Sequence, residues 1–185
     1  MNDSMGGHVR TPLLETPRLR MRGHRPEDLE QCSKLWGDAA VVRYVGGKPL
    51  AREEVWARML RYVGHWAWMS YGLWVVEEKT TERFMGEVGF ANHKRDTQPS
   101  FAGEPELGWV LAPQFHGKGY ATEAVQAAMR WGFGRFGARR TVCMIHPENG
   151  ASLRVAEKCS FHEWQRALYR GEPTILLASE LARPA

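Results

Sequence analysis

The stretch 114-QFHGKGYA-121 joins an apolar run at 107–111 to an amphipathic segment at 122–136. Gly117 and Gly119 leave room for a ligand to approach the backbone, and the first amides of a following helix lack intrahelical acceptors. The order of strand, glycine loop and helix therefore predicts an anion site. The helix dipole contributes ~0.3–1 kcal/mol to such a site when it is exposed, and up to ~2 kcal/mol when it is partly buried.

Two common phosphate loops do not fit this stretch. A Walker loop requires GxxxxGK followed by Ser or Thr, whereas Lys118 is followed by Gly119 and Tyr120. A dinucleotide loop requires GxGxxG, and the third glycine is missing here. The sequence thus indicates a different phosphate-bearing ligand, or a tight strand-to-helix turn that binds nothing.

The segments around the loop occur in a specific order: ELGWVL at 106–111, the pattern Gln114-x-x-Gly117-x-Gly119, and YATEA at 120–124. This order resembles the acetyl-CoA motif of GNAT N-acetyltransferases. LETPRLRMR at 14–22 and PENGASLRVAEK at 147–158 resemble the branch that contains ribosomal-protein N-terminal acetyltransferases. The similar segments span most of residues 13–181.

The resemblance implies an α+β (mixed α/β) GNAT fold. Its central, mostly antiparallel sheet would have six to seven strands, with about four helices distributed over both faces. One acetyltransferase domain is expected over 13–181, between a flexible N-terminal tail at 1–12 and a C-terminal tail at 182–185. A length of 185 residues suits one domain with a sizeable core.

Composition excludes several classes of protein. Hydrophobic residues at 43% and charged residues at 25% are ordinary globular values, and no apolar run approaches the ~18 residues of a membrane span. Residues 1–10 lack the apolar segment of a secretion signal. The net charge of +4 is scattered along the chain, so nucleic-acid binding is not expected. We therefore expect a soluble protein that does not associate with membranes.

Three cysteines at wide spacings, Cys32, Cys143 and Cys159, form neither a disulfide framework nor a metal-ligand pattern. A reducing cytoplasm and a protein without metal are therefore expected. Strand edges often mediate dimers in the family that the chain resembles, so both a monomer and a homodimer are compatible with the sequence.

Hydrophobic periodicity predicts the other elements. Strands are predicted at 13–22, 72–78, 84–92, 106–111, 140–145, 161–169 and 174–179, and helices from Pro26 to near Gly37, at 52–68, at 122–136 and at 149–158. The core-facing stripe of the second helix is predicted to be Val55, Trp56, Met59, Leu60 and Val63. Residues 93–103 show little periodicity and are predicted to form a mobile loop.

The resemblance assigns most donor contacts to the main chain, with the CoA pyrophosphate at the loop amides and the pantetheine arm along the preceding strand. The expected CoA-binding residues are Trp109, Val110, Leu111, Gln114, His116, Gly117, Lys118, Gly119, Tyr120, Ala121, Asn149 and Ser152. Asn149 and Ser152 could equally cap the next helix.

The resemblance also implies Ser152 as the acid that protonates the departing thiolate, whereas other branches of the family commonly use a tyrosine. Tyr120 lies in the pyrophosphate loop, so its hydroxyl is less suited to face the sulfur. A base would have to deprotonate the amine, and Glu106 and Glu87 are the first candidates, followed by His146. Each of these three could instead be an ordinary surface or core residue. An α-amine of pKa ~7.7–8.0 is already neutral ~10–20% of the time at pH 7, so a base acting through water, or no base, is also possible.

An aromatic cluster, Trp66, Trp68, Tyr71 and Trp74, lies where related enzymes form the wall of their acceptor site. Core packing is its ordinary explanation, and contact with a substrate cation is the functional one. His65 shares this location.

Two positions depart from the family pattern. His116 stands where tryptophan is common, and it could contact phosphate if it is protonated. Ser160 stands where glycine usually ends the helix, so a left-handed residue there would cost ~1–2 kcal/mol.

The sequence thus predicts an acyl-CoA-dependent N-acetyltransferase. It would pass acetyl from its cosubstrate, acetyl-CoA, directly to a primary amine in a ternary complex. The acceptor would be a protein N-terminal α-amine or a small-molecule amine. The alternative is a non-catalytic CoA-binding sensor or interaction module.

Overall fold

The structure, a computed structural model, describes residues 11–181. One eight-stranded sheet runs through it in the order β1-β2-β3-β4-β5-β6-β8-β7. The strands are β1 (Leu14–Glu15), β2 (Leu19–Arg22), β3 (Leu73–Glu78), β4 (Phe84–Ala91), β5 (Glu106–Leu111), β6 (Arg140–Ile145), β7 (His162–Tyr169) and β8 (Glu172–Glu180). Neighbouring strands pair antiparallel except β5 and β6, which are parallel.

Helices cover both faces of this sheet. They are α1 (Leu29–Trp36), α2 (Ala39–Val42), α3 (Arg52–Met69), α4 (Tyr120–Phe136) and α5 (Gly150–Lys158), with 3-10 turns at Pro26–Asp28 and Pro113–Phe115. Small residues of α4, Ala124, Val125 and Ala128, are fully buried against one face, whereas α1, α2 and α3 share a second core with Phe84 and Val110 on the other. This arrangement confirms the predicted fold class.

The sheet has one strand more than predicted because the segment 13–22 is broken at Pro17. Proline lacks an amide donor and fixes its own φ, so it favours a turn here. Thr16 closes that turn: its amide donates to the Leu19 carbonyl at 2.9 Å, and its Oγ1 accepts from the Leu19 amide at 2.8 Å. The two short strands then pair with each other, with Leu14 opposite Met21.

The predicted apolar stripe of α3 is wrong in part. Val55 and Met59 are buried, but Trp56, Leu60 and Val63 are 38%, 53% and 50% exposed. The buried positions continue instead to Tyr62 and Trp66. Positions 55, 59, 62 and 66 follow one face of a helix of 3.6 residues per turn, and 56, 60 and 63 follow the adjacent face. Both faces are apolar, so spacing alone could not choose between them.

Short or local features account for the other differences. The sequence did not predict α2, which Asp38 caps by accepting from the Ala40 amide at 2.8 Å. Ser160 adopts the left-handed conformation at φ 60°, the geometry that was expected to cost energy there. The Pro12 carbonyl accepts from Trp74 Nε1 at 2.9 Å, which ties the residue before the predicted domain start to strand β3.

Of the tails predicted at 1–12 and 182–185, residues 1–10 and 182–185 lie outside the described residues. Within 11–181, no helix combines the length and apolar character needed to cross a bilayer.

Candidate functional site

The sheet opens between its two parallel strands. Within residues 11–181, β5 and β6 pair at a single position, Glu106 with Val142. Because Glu106 is the first residue of β5, the rest of that strand has no partner on the β6 side. Backbone groups of β5 therefore border a gap that points toward the start of α4.

The glycine loop lies beside this gap and presents backbone amides. Gly117 and Gly119 have φ of +73° and +79°, a region that side chains with a Cβ rarely adopt. The first bond of α4 runs from the Glu123 amide to the Gly119 carbonyl at 3.1 Å, and in the described chain the amides of residues 117–122 have no protein acceptor. Arg18 fixes the loop from behind, since its Nη1 donates to the Lys118 carbonyl at 2.9 Å.

A groove of about 350 Å³ runs from the loop along β5 to α5. Its walls include ten of the twelve residues predicted to bind CoA: Trp109, Val110, Leu111, His116, Gly117, Gly119, Tyr120, Ala121, Asn149 and Ser152. Gln114 and Lys118 are not among the groove residues, and the Lys118 ammonium donates to the Gln114 carbonyl at 3.1 Å.

Two basic side chains of the groove were not predicted. Arg154 and Lys158 stand four residues apart on α5, so they lie on one face of that helix. The sequence signal that could have identified them is their four-residue spacing on the helix predicted to follow Asn149. Together with the loop amides they make the groove suitable for a ligand with several phosphates.

Asn149 and Ser152 hold the start of α5. Asn149 Oδ1 accepts from the Ser152 amide at 3.1 Å, which confirms the capping role of Asn149. The Ser152 hydroxyl forms no hydrogen bond within residues 11–181 and borders the groove. Tyr120, by contrast, donates its hydroxyl to Glu78 at 2.9 Å.

His116 is fixed by the end of β5. Its Nε2 lies 2.8 Å from the Leu111 carbonyl, which requires a proton on that nitrogen. The ring therefore closes the groove wall.

A second, inner cavity of about 130 Å³ adjoins the groove. The residues that line both are Tyr44, Val45, Trp109, Val110, Asn149 and Ser152. Deeper residues of the inner cavity include Arg58, Tyr62, Glu87, His93, Arg95, Glu106 and Cys143. These come from α3, from β4 to β6 and from the loop between β4 and β5. The two spaces therefore adjoin each other at these six shared residues.

Glu87 is fully buried at the wall of the inner cavity and accepts three hydrogen bonds. The donors are His24 Nε2 at 3.0 Å, Trp36 Nε1 at 3.0 Å and the Cys32 thiol at 3.5 Å. Burial opposes ionisation of Glu87, but the bond and charge of His24, and the charge of Arg58, hold its pKa below the usual range. Glu87 is thus a satisfied carboxylate with little tendency to take up a proton.

His24, Cys32 and Glu87 also bring three potential metal-ligand atoms within 4.8 Å of one another. Burial, and next the Glu87 charge, raise the pKa of the Cys32 thiol, so this sulfur is a protonated donor to the carboxylate. The cluster therefore works as a hydrogen-bond network around Glu87.

Glu106 is committed to an ion pair. Arg95 Nε and Nη2 each donate to one of its carboxylate oxygens at 2.6 Å, a bidentate geometry. The Arg95 guanidinium also lies 4.9 Å from the centre of the Tyr169 ring. Both carboxylates that the sequence proposed as bases therefore already have partners.

The other candidate, His146, lines the inner cavity. Its ring stacks on Tyr44 at 5.2 Å, and its Nδ1 accepts from the Glu148 amide at 3.2 Å. The remaining nitrogen is the one available for proton exchange.

None of the four aromatic residues predicted to contact substrate lines the groove or the inner cavity in the described chain. Trp66 and Trp74 are core residues that pack edge to face at 4.9 Å, and Trp131 joins both. Tyr71 packs on a phenylalanine of α4, and Trp68 is 90% exposed. The placement of Trp66, Trp74 and Tyr71 favours the packing explanation, whereas Trp68 neither packs in the core nor borders either space.

His93 faces the inner cavity, and burial, followed by the charges of Arg95 and Arg61, lowers its pKa to about 3. Below pH 6.5 the histidine binds a proton in the unfolded chain, whereas His93 in the fold stays neutral down to about pH 3. Acid therefore favours the unfolded chain and should destabilise the fold. The loss between pH 7 and pH 5 should be about 2 kcal/mol from this residue alone.

Urea denaturation of wild type and His93→Gln at both pH values measures this contribution. The variant should lose less stability on acidification than the wild type. A variant at an exposed histidine of β7, His162→Gln, should show the wild-type difference. Equal acid sensitivity of wild type and His93→Gln would contradict the assignment.

Comparisons with known proteins agree with this geometry. Residues 18–162 match the family model described as acetyltransferase (GNAT) domain. The Bacillus subtilis protein named as the N-acetyltransferase YnaD is 43% identical over 145 residues, or 78% of this chain and 79% of that protein.

Two solved structures share the fold. A GnaT-family acetyltransferase from Bordetella pertussis superposes with a TM-score of 0.80 at 26% identity, over 91% of this chain and 99% of that one. The spermidine N-acetyltransferase of Vibrio cholerae, solved with CoA and spermine, superposes with a TM-score of 0.71 at 18% identity. That match covers 90% of this chain and 97% of the other, and at this identity it shows the fold alone.

Proposed function

The chain belongs to the GNAT acetyltransferase family and is an acyl-CoA-dependent acetyltransferase, and on that premise we propose direct transfer of acetyl from acetyl-CoA to a primary amine within a ternary complex. The observation that carries the proposal is the junction of the groove with the inner cavity, where Trp109, Asn149 and Ser152 line both. A donor in the groove and an acceptor in the inner cavity can meet there without either having to leave first. The family assignment sets aside the non-catalytic module.

The groove suits the donor from end to end. The free amides of residues 117–122 can bind the pyrophosphate, and Arg154 and Lys158 add positive charge nearby. The unpaired side of β5 at 109–111 can bond to the pantetheine arm as a neighbouring strand would. This places the thioester at the junction.

We assign the chemistry as follows. The amine nitrogen attacks the thioester carbonyl, the carbon–sulfur bond breaks, and the thiolate takes a proton from the Ser152 hydroxyl. The proton lost by the amine goes to water, and His146, whose Nδ1 alone is engaged by the Glu148 amide, is the candidate to relay it. Ser152 regains a proton from the water that received the one lost by the amine. Glu87 and Glu106 are committed to other donors, so direct abstraction by either is disfavoured.

This arrangement suits an acceptor that needs little help to become neutral. An α-amine of pKa ~7.7–8.0 meets that requirement, whereas a lysine-like amine of pKa ~10.4 does not. The proposal therefore includes a protein N-terminal α-amine, and also small-molecule α-amines, which are more basic than a peptide α-amine but less basic than a lysine side chain.

Direct transfer is supported by the state of the cysteines. Cys143 borders the inner cavity, but burial and the nearby Glu106 charge raise its pKa well above the usual range. Burial also raises the pKa of Cys159 to about 11. Both are protonated thiols at neutral pH and hence poor acetyl carriers.

Isothermal titration with acetyl-CoA, combined with a thiol-release assay over a panel of amines, tests the proposal. Sub-millimolar binding and amine-stimulated release of CoA are expected. The proposal would be overturned if both acetyl-CoA and CoA failed to bind with sub-millimolar affinity.

Gly119→Val should weaken acetyl-CoA binding by about tenfold or more, because the β-branched residue disfavours the left-handed conformation that aims the amides. Gly46→Val is the matched control, since Gly46 also has a positive φ, of +93°, and lies outside the groove. It should bind acetyl-CoA as the wild type does. Equal affinity for wild type and Gly119→Val would remove the loop from the donor site.

A further inference from the structure

Positive charge exceeds negative charge around the inner cavity. Arg58 and Arg95 line it and Arg61 lies close enough to influence both, against the two carboxylates Glu87 and Glu106. Arg95 is neutralised by Glu106 at 2.6 Å. Within residues 11–181, neither Arg58 nor Arg61 takes part in an ion pair.

Arg58 is held rigidly although it has no anionic partner. Its guanidinium lies flat over the Trp36 ring, 3.6 Å from the ring centre, and its Nε donates to Tyr62 Oη at 2.6 Å. Tyr62 is a neutral acceptor, because burial raises the pKa of its hydroxyl. The two terminal nitrogens of Arg58 have no protein acceptor in the described chain, and the side chain lines the inner cavity.

Glu87 does not satisfy this guanidinium. It faces the same cavity, but His24 and Trp36 occupy its oxygens at 3.0 Å each. A planar guanidinium with two free, fixed donors matches a carboxylate in bidentate geometry. The feature that the inner cavity lacks is thus an anion opposite Arg58.

We infer that the acceptor is a small amino-acid-type molecule, whose carboxylate binds Arg58 while its primary amine meets the thioester at Ser152. This inference rests on the proposed acetyl transfer. Ser152 and Arg58 line the same cavity, so one ligand can contact both. A volume of about 130 Å³ is well below the ~300–1,000 Å³ of usual ligand sites, which suits a small acceptor.

The behaviour of His93 is consistent with this assignment. Burial lowers its pKa first, and the charges of Arg95, Arg61 and Arg58 lower it further, so the imidazole stays neutral and adds no charge. A polyamine would bring further positive charge to Arg58 and Arg61 and gain no anion in return. The inner cavity therefore selects against polycations.

Matched acceptors test the inference directly. Thiol release is measured with an amino acid and with its carboxamide, for example phenylalanine and phenylalaninamide, across a series of side chains, and with spermidine. The amide has the less basic amine and is intrinsically the easier nucleophile at neutral pH. A kcat/KM that favours the acid form by about tenfold or more would therefore report binding of the carboxylate.

Variants identify the group responsible. Arg58→Met keeps the stem over Trp36 and should raise KM for the acid about tenfold or more, while the KM for the amide changes little. Arg58→Lys keeps the positive charge but lacks the planar guanidinium, so its KM for the acid should lie between those of the wild type and Arg58→Met. Arg52→Met, on the exposed side of the same helix, is the control and should match the wild type.

Thermal melts and titration with acetyl-CoA show whether each variant is folded and binds the donor. Amine-stimulated release without any preference for the acid form would overturn the inference and leave the proposed transfer standing. So would a preference for spermidine, or a KM for the acid that is unchanged in a folded Arg58→Met. Absence of release with every amine would instead count against the proposed function.

Discussion

Replacing Ser152 with alanine should lower kcat by about a hundredfold, the lower end of the effect of a positioned acid. Within residues 11–181 the hydroxyl has no hydrogen-bond partner, and Ser152 lies at the junction of groove and inner cavity, where the proposed transfer requires a proton for the departing sulfur. The helix cap uses the Ser152 amide, so alanine keeps the bond to Asn149. Stability and CoA affinity should therefore stay close to wild type.

Steady-state kinetics of thiol release, with titration of CoA in parallel, measure this effect. Thr80→Ala provides the control, since Thr80 lies in the exposed turn between β3 and β4 and borders neither the groove nor the inner cavity. It should keep the wild-type kcat. A Ser152→Ala enzyme whose kcat falls less than threefold would show that water or another group protonates the thiolate.

Replacing Glu87 with glutamine should destabilise the fold by about 3 kcal/mol, the upper end of the cost of leaving buried hydrogen-bonding groups without partners. Glutamine keeps the shape of the side chain and a carbonyl oxygen that accepts from Trp36. Its NH2 group, however, replaces the oxygen that accepted from His24 and Cys32, so it faces two donors. The midpoint temperature should fall by roughly 6–12 °C for a chain of this size.

Glu30→Gln is the matched control, because Glu30 forms ion pairs with Lys34 and Arg52 in an exposed position. Its midpoint should remain that of the wild type. If Glu87→Gln melts with the wild type, Glu87 is not the centre of a stabilising network.

Acid should diminish the effect at Glu87. Its pKa in the fold is below the ordinary value of 4.5, so its contribution is present above that pH and is lost as pH falls through the lowered value. Wild type and Glu87→Gln should therefore converge in stability below pH 4.5. Denaturation at pH 7 and at pH 4 measures the change.

The donor side of the molecule could be predicted because its signals are local. A strand, two glycines and a helix start follow one another within residues 106–124, and hydrogen bonding at their junction depends on the backbone alone. The capping role of Asn149 is similarly local, since it concerns residues three apart.

The acceptor side could not be predicted in the same way. Arg58, His93 and Glu106 belong to separate parts of the chain, and only the strand order brings them to one cavity. Conversely, the aromatic residues Trp66 and Trp74 are close in sequence, but the turn between α3 and β3 sends them into the core. The closeness of Trp66 and Trp74 in sequence suggested one wall of the acceptor site, but both side chains pack in the core.

Assembly and location remain predictions. The prediction of a homodimer is based on the family resemblance. The prediction of a cytoplasmic location is based on three widely spaced cysteines that do not form a disulfide pattern. The mobility predicted for 93–103 likewise stays a prediction.

The single bridge between β5 and β6 divides the sheet into two half-sheets, β1 to β5 and β6 to β8, with a seam between them. Side-chain packing across the shared core joins the halves, whereas continuous backbone pairing joins the strands within each half. A cofactor lying in that seam would serve as a staple as well as a reactant. The cofactor concentration would then set the stability of the fold, because binding at a hundred times Kd adds about 2.7 kcal/mol to the free energy of unfolding. Depletion of the cosubstrate would loosen the same protein that consumes it.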